Sequence, residues 1–246
     1  MNQITFSEFS HFIPVADSNA LCRVYPLSVA EGVQSGRIYS DSSESCVLIR
    51  HQNNFSFLSG EPSETFLRRV YDLVINDGLK LMCNDEMLCS LFEKWGGASF
   101  LPRSFYSYPS DKPPKAVIPS GYEAKCIDEQ LFSLLEGRVS PKIFWQDFEK
   151  FRQNGKGVCL MYGSEPASWA FTAAVSNDEA DIGIETAEAH RHRGLAYAAS
   201  SLLIKKLLPS RRPTWSCQQS NKGSARTAEK LGFVKYADCI MIKKAD

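Results

Sequence analysis

The sequence predicts a layered α/β (α+β) fold, and three observations carry that prediction. Short β-branched and aromatic runs alternate with segments of helical periodicity, the pattern of strands packed under helices. Glycine and proline punctuate the junctions between them. No short-period repeat recurs along the chain, which removes solenoid architectures.

The chain has 246 residues and a mass of 27.5 kDa, enough for one large or two modest domains with their own cores. Apolar residues make up 43% and charged residues 23%, a globular composition. Lys plus Arg and Asp plus Glu both number 28, so no basic excess points to nucleic acid or an anionic membrane as partner. Residues Met1–Ser10 lack a basic n-region and a long apolar stretch, and no run approaches the roughly 18 apolar residues of a membrane span. The eight cysteines form no CxxC pair, and Cys46 and Cys159 sit inside apolar runs. They predict reduced core thiols, no zinc or other metal, and a cytoplasmic location.

The first forty residues carry no clear rhythm. From there, Cys46–Ile49 and Phe55–Leu58 predict two strands joined by His51–Asn54. Ser63 caps a helix whose Phe66, Leu67, Val70, Tyr71 and Val74 share one face, and Asp77-Gly78 ends it. Leu79–Met82 predicts a strand, Asn84 or Asp85 a second cap, and Gly96-Gly97 the stop after Trp95. Phe105–Tyr108 is expected to be extended. The segment 109–119 holds four prolines and predicts a linker, so the boundary is placed between residues 1–118 and 119–246.

Beyond it, Tyr122–Ile127 alternates as a strand and Asp128 caps a short helix to Leu135. Pro141 opens a helix whose Phe144, Trp145 and Phe148 are expected on one face. Strands follow at Val158–Tyr162, Ser168–Val175 and Asp181–Thr186, then a helix from about Gly194 to Leu208. A strand near Thr214–Gln218, a helix Asn221–Leu231 and a last strand through Ile242 complete the chain. The stretches 45–109 and 158–242 echo each other loosely in element order, which hints at two related halves.

The chemistry concentrates in Arg191-His192-Arg193-Gly194-Leu195-Ala196-Tyr197, where a strand and turn lead into a helix. The first turn of a helix offers free N–H groups and the positive end of its dipole. Small residues at Gly194 and Ala196 let a bulky anion approach the backbone, and Arg191 and Arg193 add charge, so the segment suits a pyrophosphate. A second motif follows at Asn221-Lys-Gly-Ser224 through Glu229-Lys-Leu-Gly-Phe233.

This pair of motifs resembles the GCN5-related N-acetyltransferase (GNAT) superfamily over about residues 122–246. Ile184-Glu185-Thr186, Trp145, Phe148 and the amino-terminal extension are most similar to the subfamily related to zwittermicin A resistance acetyltransferases. The resemblance implies a mixed twisted sheet flanked by helices in the second half, the catalytic domain. Residues 1–118 are then an amino-terminal α/β domain, a candidate degenerate GNAT-like half on the substrate side.

The resemblance further implies acetyl-CoA as cosubstrate. The backbone of Ile184, Glu185 and Thr186 would pair with the pantetheine arm like an added strand. The N–H groups of His192, Arg193, Gly194, Leu195, Ala196 and Tyr197 would face the pyrophosphate, with Arg191 at the rim. Asn221 would bond the cofactor near the pantetheine with help from Ser224; its plain alternative is a helix N-cap.

The implied reaction is direct attack of a neutral amine on the thioester, giving an N-acetyltransferase for a small-molecule amine. Relatives place a tyrosine where this chain has Ala228 and a carboxylate or histidine where it has Ala180. Glu179 and Asp181 are expected on the opposite face. Glu185 is therefore the candidate catalytic base, with a structural ion pair or hydrogen bond as the even alternative. His190 and His192 are expected to be exposed loop residues. Ala228 and Ala180 also motivate a second class of function, a CoA-binding sensor or interaction module without turnover. A third, a protein-binding surface of Trp95, Phe100, Phe105, Tyr106 and Tyr108, ranks last because such clusters are usually core. Oligomeric state and the acceptor amine are not written in any motif.

Overall fold

The computed structural model describes residues 1–19 and 21–245. Its first part runs β1 (Asn2–Gln3), α1 (Ile13–Asp17), α2 (Val24–Ala30), β2 (Gly36–Ser40), β3 (Cys46–His51) and β4 (Phe55–Gly60). It continues with α3 (Glu64–Asp77), β5 (Lys80–Cys83), α4 (Glu86–Trp95) and β6 (Ala98–Ser107). The second part runs β7 (Glu123–Cys126), α5 (Glu129–Leu134), α6 (Pro141–Phe144), α7 (Phe148–Asn154), β8 (Gly157–Tyr162) and β9 (Glu165–Val175). It ends with β10 (Glu179–Thr186), α8 (Leu195–Leu207), β11 (Arg212–Gln218), α9 (Lys222–Leu231) and β12 (Val234–Lys244).

Two compact units emerge. The first holds Met1–Phe105, Gln218–Ser220 and Ala237–Asp246; the second holds Tyr106–Cys217 and Asn221–Tyr236. The Pro-rich segment 109–119 has no regular element and belongs to the second unit, where Arg212 pairs with Asp111 at 2.9 Å.

In the first unit, β1, β2, β3 and β4 are successive antiparallel neighbours, and β5 joins β4 in parallel, Phe55 opposite Lys80. The end of β12 then adds antiparallel to β5, pairing Ile240–Ile242 with Cys83–Leu81. Ser63 caps α3 by accepting the Phe66 N–H, and Gly78 ends it at φ 70°, where a glycine avoids the Cβ penalty. Asp85 caps α4 through the Met87 and Leu88 amides. The apolar faces so aligned put Phe66, Val70, Val74 and Phe92 against Leu48, Leu81 and Ile242. The segment whose sequence had no rhythm forms α1 and α2, with Phe9, Phe12, Leu27 and Val29 buried with Ile38, Val47 and Ile49.

The second unit repeats the order. Strands β7, β8, β9 and β10 are antiparallel neighbours, and β11 joins β10 in parallel. Helix α8 buries Leu195, Ala198, Ala199, Leu203, Ile204 and Leu207, and it packs on β8, β9 and β10. The echo seen from residue 45 therefore begins earlier: β1, helices, β2-β3-β4-α3-β5-α4-β6 matches β7, helices, β8-β9-β10-α8-β11-α9-β12. Strand β2, which completes the match, was missed because Arg37 and Ser40 interrupt a five-residue run.

The expected helix through Phe148 is broken. Trp145 is extended (φ −124°, ψ 137°) because its indole N–H donates to the Thr172 carbonyl at 2.7 Å, and Asp147 then caps a separate α7. Phe105, Tyr106 and Tyr108 are buried, and Trp95 and Phe100 pack against the first unit's core, so this aromatic set is core rather than a docking surface. All eight cysteines are free. Burial pushes the Cys46 and Cys159 thiols up to about 12, as inert core residues require.

Candidate active site

The site grows from the point where two parallel strands part. The β10–β11 ladder pairs Glu179–Asp181 with Arg212–Thr214 and stops there, while β10 runs on to Thr186 and β11 to Gln218. A register shift between Asp181 and Ile182 marks the place. Asp181 is 2% exposed; its carboxylate accepts from the Thr214 hydroxyl at 3.2 Å and the Ser216 hydroxyl at 3.5 Å. These bonds satisfy a buried carboxylate at the mouth of the opening. Ala180 beside it is fully buried.

Past the bulge, Ile184, Glu185 and Thr186 pair on one side with Ala170, Trp169 and Ser168 of β9. Ser168 donates to the Glu185 carbonyl at 2.9 Å, and its hydroxyl lies 2.8 Å from that of Thr186. The three residues are half-buried. Gly183 is required here: a Cβ on it would come within 2.7 Å of the Phe171 ring opposite.

A loop then carries the chain to α8. His190 corrects the expectation of exposure: it is 6% exposed, hydrogen-bonded to the Tyr122 hydroxyl at 3.0 Å, with the Tyr122 and Tyr162 rings against it. It anchors the loop, leaving Arg191, His192, Arg193 and Gly194 exposed. His192 and Gly194 both take positive φ, 62° and 78°. Alternating with ordinary conformations, such residues turn successive amides to one side, an anion-binding concavity. Arg191 is held by the Thr186 carbonyl at 3.4 Å, and Arg193 reaches Tyr122 and the Ala189 carbonyl, each at 3.3 Å.

Gly194 is the cap of α8, so no side chain occupies the first-turn amides, and that turn holds no acid. An added Cβ at Gly194 would meet nothing within 4 Å. The Leu195 side chain is core, so only its amide can serve a ligand, whereas Ala196 and Tyr197 are half-buried. Lys230 lies 5.1 Å over the Tyr197 ring.

Asn221 caps α9, accepting the Ser224 N–H at 3.1 Å. The Ser224 hydroxyl accepts from the indole of buried Trp215, also at 3.1 Å. Both residues are therefore structural whatever else they bind. Ala228 is fully buried and offers no proton.

The family model described as GNAT acetyltransferase matches residues 23–238. The chain belongs to the GNAT acetyltransferase family. Among its relatives, the Uncharacterized N-acetyltransferase YdfB of Bacillus subtilis (strain 168) is 21% identical over 252 residues, covering 95% of this chain and 94% of that protein. The GCN5-related N-acetyltransferase-like protein of Streptococcus suis shares the fold with a TM-score of 0.78 at 21% identity, covering 98% of this chain and all of that one. A tandem GNAT protein from the clavulanic acid biosynthesis pathway has a TM-score of 0.59 at 11% identity, over 97% of this chain and 93% of that one.

The GNAT family match spans both repeats, yet only the second carries the loop. Between β4 and α3 lie Glu61, Pro62 and Ser63 alone, against eight residues between β10 and α8. Ser63 fills an α3 amide and Glu64 puts a negative charge in that turn. The first repeat thus lacks an anion cradle at the corresponding place. Among the described residues no helix is long and apolar enough to cross a membrane.

Proposed function

We propose that the second unit binds acetyl-CoA and transfers its acetyl group to the amine of a small molecule by direct attack, as a cytoplasmic enzyme. The observation that carries this reading is the uncapped first turn of α8, framed by two positive-φ residues and the exposed Arg191 and Arg193. Backbone amides from His192 to Tyr197 hold the diphosphate without desolvating a lysine, and the helix dipole adds to them. The edge of β10 that β11 abandons after Asp181 takes the pantetheine arm through the main chain of Ile184, Glu185 and Thr186. Asn221 and Ser224 line the far side.

A thioester is already activated, so no covalent enzyme intermediate is needed. The amine attacks the carbonyl, and a main-chain N–H of the same strand stabilises the oxyanion. The adduct collapses with cleavage of its C–S bond, the nitrogen loses one proton and the departing CoA thiolate takes one up, leaving the amide and the CoA thiol. The domain reading goes with this: residues 119–246 hold the cosubstrate, and residues 1–118 form an amino-terminal α/β domain. The likeness to zwittermicin A resistance acetyltransferases is part of the same reading and suggests an antibiotic-like or amino-acid-derived amine.

The test is release of CoA thiol from acetyl-CoA with a panel of primary amines (amino acids, their amides, tyramine and spermidine). Amine-dependent thiol release is expected. Acetyl-CoA binding with no release by any amine would replace this reading with the CoA-sensing module, and no binding would end both.

A further inference from the structure

One residue in the second unit, Val139, is gripped through both its N–H and its carbonyl by facing residues of β9 and β10. The Val139 N–H donates to Glu185 Oε2 at 2.6 Å, and the Val139 carbonyl accepts from the Trp169 indole at 2.9 Å. Glu185 and Trp169 are register partners across the β9–β10 ladder. Gly137, two residues earlier, takes φ 136°, and a Cβ there would sit 2.7 Å from the same Glu185 oxygen. The turn between α5 and α6 therefore lies directly on this carboxylate, with glycine where a side chain would collide with it.

Resting on the acetyl-CoA reading above, we infer that Glu185 is a positioning residue: with Trp169 it holds the turn at Gly137–Val139 as a wall of the acceptor pocket. The Glu185 main chain lies in the stretch assigned to the pantetheine arm, and its side chain spans from there to the turn. On that reading the turn this side chain fixes borders the strand stretch along which the amine reaches the thioester. Glu185 Oε2 accepts the Val139 main-chain N–H at 2.6 Å, a short charge-assisted bond that fixes the orientation of the carboxylate against the turn.

Four variants separate the roles. Glu185→Gln keeps an oxygen for the Val139 amide but removes the base; Glu185→Ala removes both. Gly137→Ala pushes the turn off the carboxylate without altering Glu185, and Trp169→Phe deletes the second bond. The structural readout is hydrogen exchange at the Val139 amide. Protection is expected in the wild type and in Glu185→Gln, with at least tenfold faster exchange in Glu185→Ala and Gly137→Ala.

The kinetic readout uses the best amine of the panel. Glu185→Gln should leave the pH profile of kcat unmoved. Glu185→Ala, Gly137→Ala and Trp169→Phe should raise KM for the amine tenfold or more, with acetyl-CoA affinity in calorimetry unchanged in Gly137→Ala and Trp169→Phe. Loss of the alkaline-rising limb and of kcat in Glu185→Gln would make Glu185 the base and overturn the inference. Unchanged amine KM in the three disruptive variants, or a Val139 amide that exchanges freely in the wild type, would overturn it as well. Failure of the wild type to bind acetyl-CoA at all would instead remove the underlying reading.

Discussion

Ser224 receives a hydrogen bond from the Trp215 indole at 3.1 Å while its own amide donates to the Asn221 side chain at the same distance. The second motif is thus wired through the start of α9 into the core, because Trp215 is 1% exposed. Asn221→Ala should lower stability by about 1 kcal/mol, the usual worth of an N-cap. Ser224→Ala leaves a buried indole N–H without a partner and should cost roughly 1–3 kcal/mol. Thermal melting, at about 2–4 °C per kcal/mol for a chain of this size, resolves both. If Asn221 also binds the cosubstrate, its variant loses acetyl-CoA affinity beyond what Ser224→Ala loses.

The first turn of α8 allows a substitution that moves stability and binding in opposite directions. Ala196→Glu places a carboxylate at the positive end of the helix, where it should stabilise by about 0.3–1 kcal/mol. The same charge repels a diphosphate, so acetyl-CoA affinity should fall at least tenfold. Melting and calorimetry on one protein sample check the pair of signs; a variant that merely unfolds would lose both.

Gly183 is set by its neighbour across the ladder. A methyl there meets the Phe171 ring at 2.7 Å, so Gly183→Ala should cost roughly 1–3 kcal/mol by overpacking. Phe171→Leu in the same chain should recover part of that loss. Urea melts of the two single variants and the double variant give the coupling.

Acid should destabilise the first unit through His51. Burial holds its imidazole down at about 4 against an ordinary 6.5, with the Asn53 side chain bonded to Nδ1 at 2.9 Å. Its folded value lies below its unfolded one, so as pH falls through 6.5 the unfolded chain takes the proton first. Stability is full above about 6.5 and is lost on the way down to 4, by about 3 kcal/mol in total. His51→Gln should flatten this limb of a stability-versus-pH curve measured by urea melts.

Much of this was legible in the residues, and the gaps have physical reasons. Caps at Ser63, Asp85, Asp128 and Asn221 hold because each side chain accepts from an amide two or three positions on. The uncapped start of α8 was visible because glycine and arginine at fixed spacing serve backbone geometry. The break after Phe144 was hidden, since it depends on Trp145 finding the Thr172 carbonyl 27 residues away. The burial of His190 and the grip on Val139 were hidden likewise: Tyr122, Trp169 and Glu185 are distant in sequence and carry no local signature. The fold's repeat was half visible, because β1 and β2 are too short to show a period.

The account's central claim is that amides at the start of α8 hold a diphosphate. The most direct measurement is calorimetric titration with acetyl-CoA beside acetylpantetheine, which carries the same thioester and arm without the diphosphate. Acetyl-CoA should bind at least a hundredfold more tightly, and the gap should narrow to tenfold or less in Ala196→Glu. Equal binding of the two compounds by the wild type would contradict it.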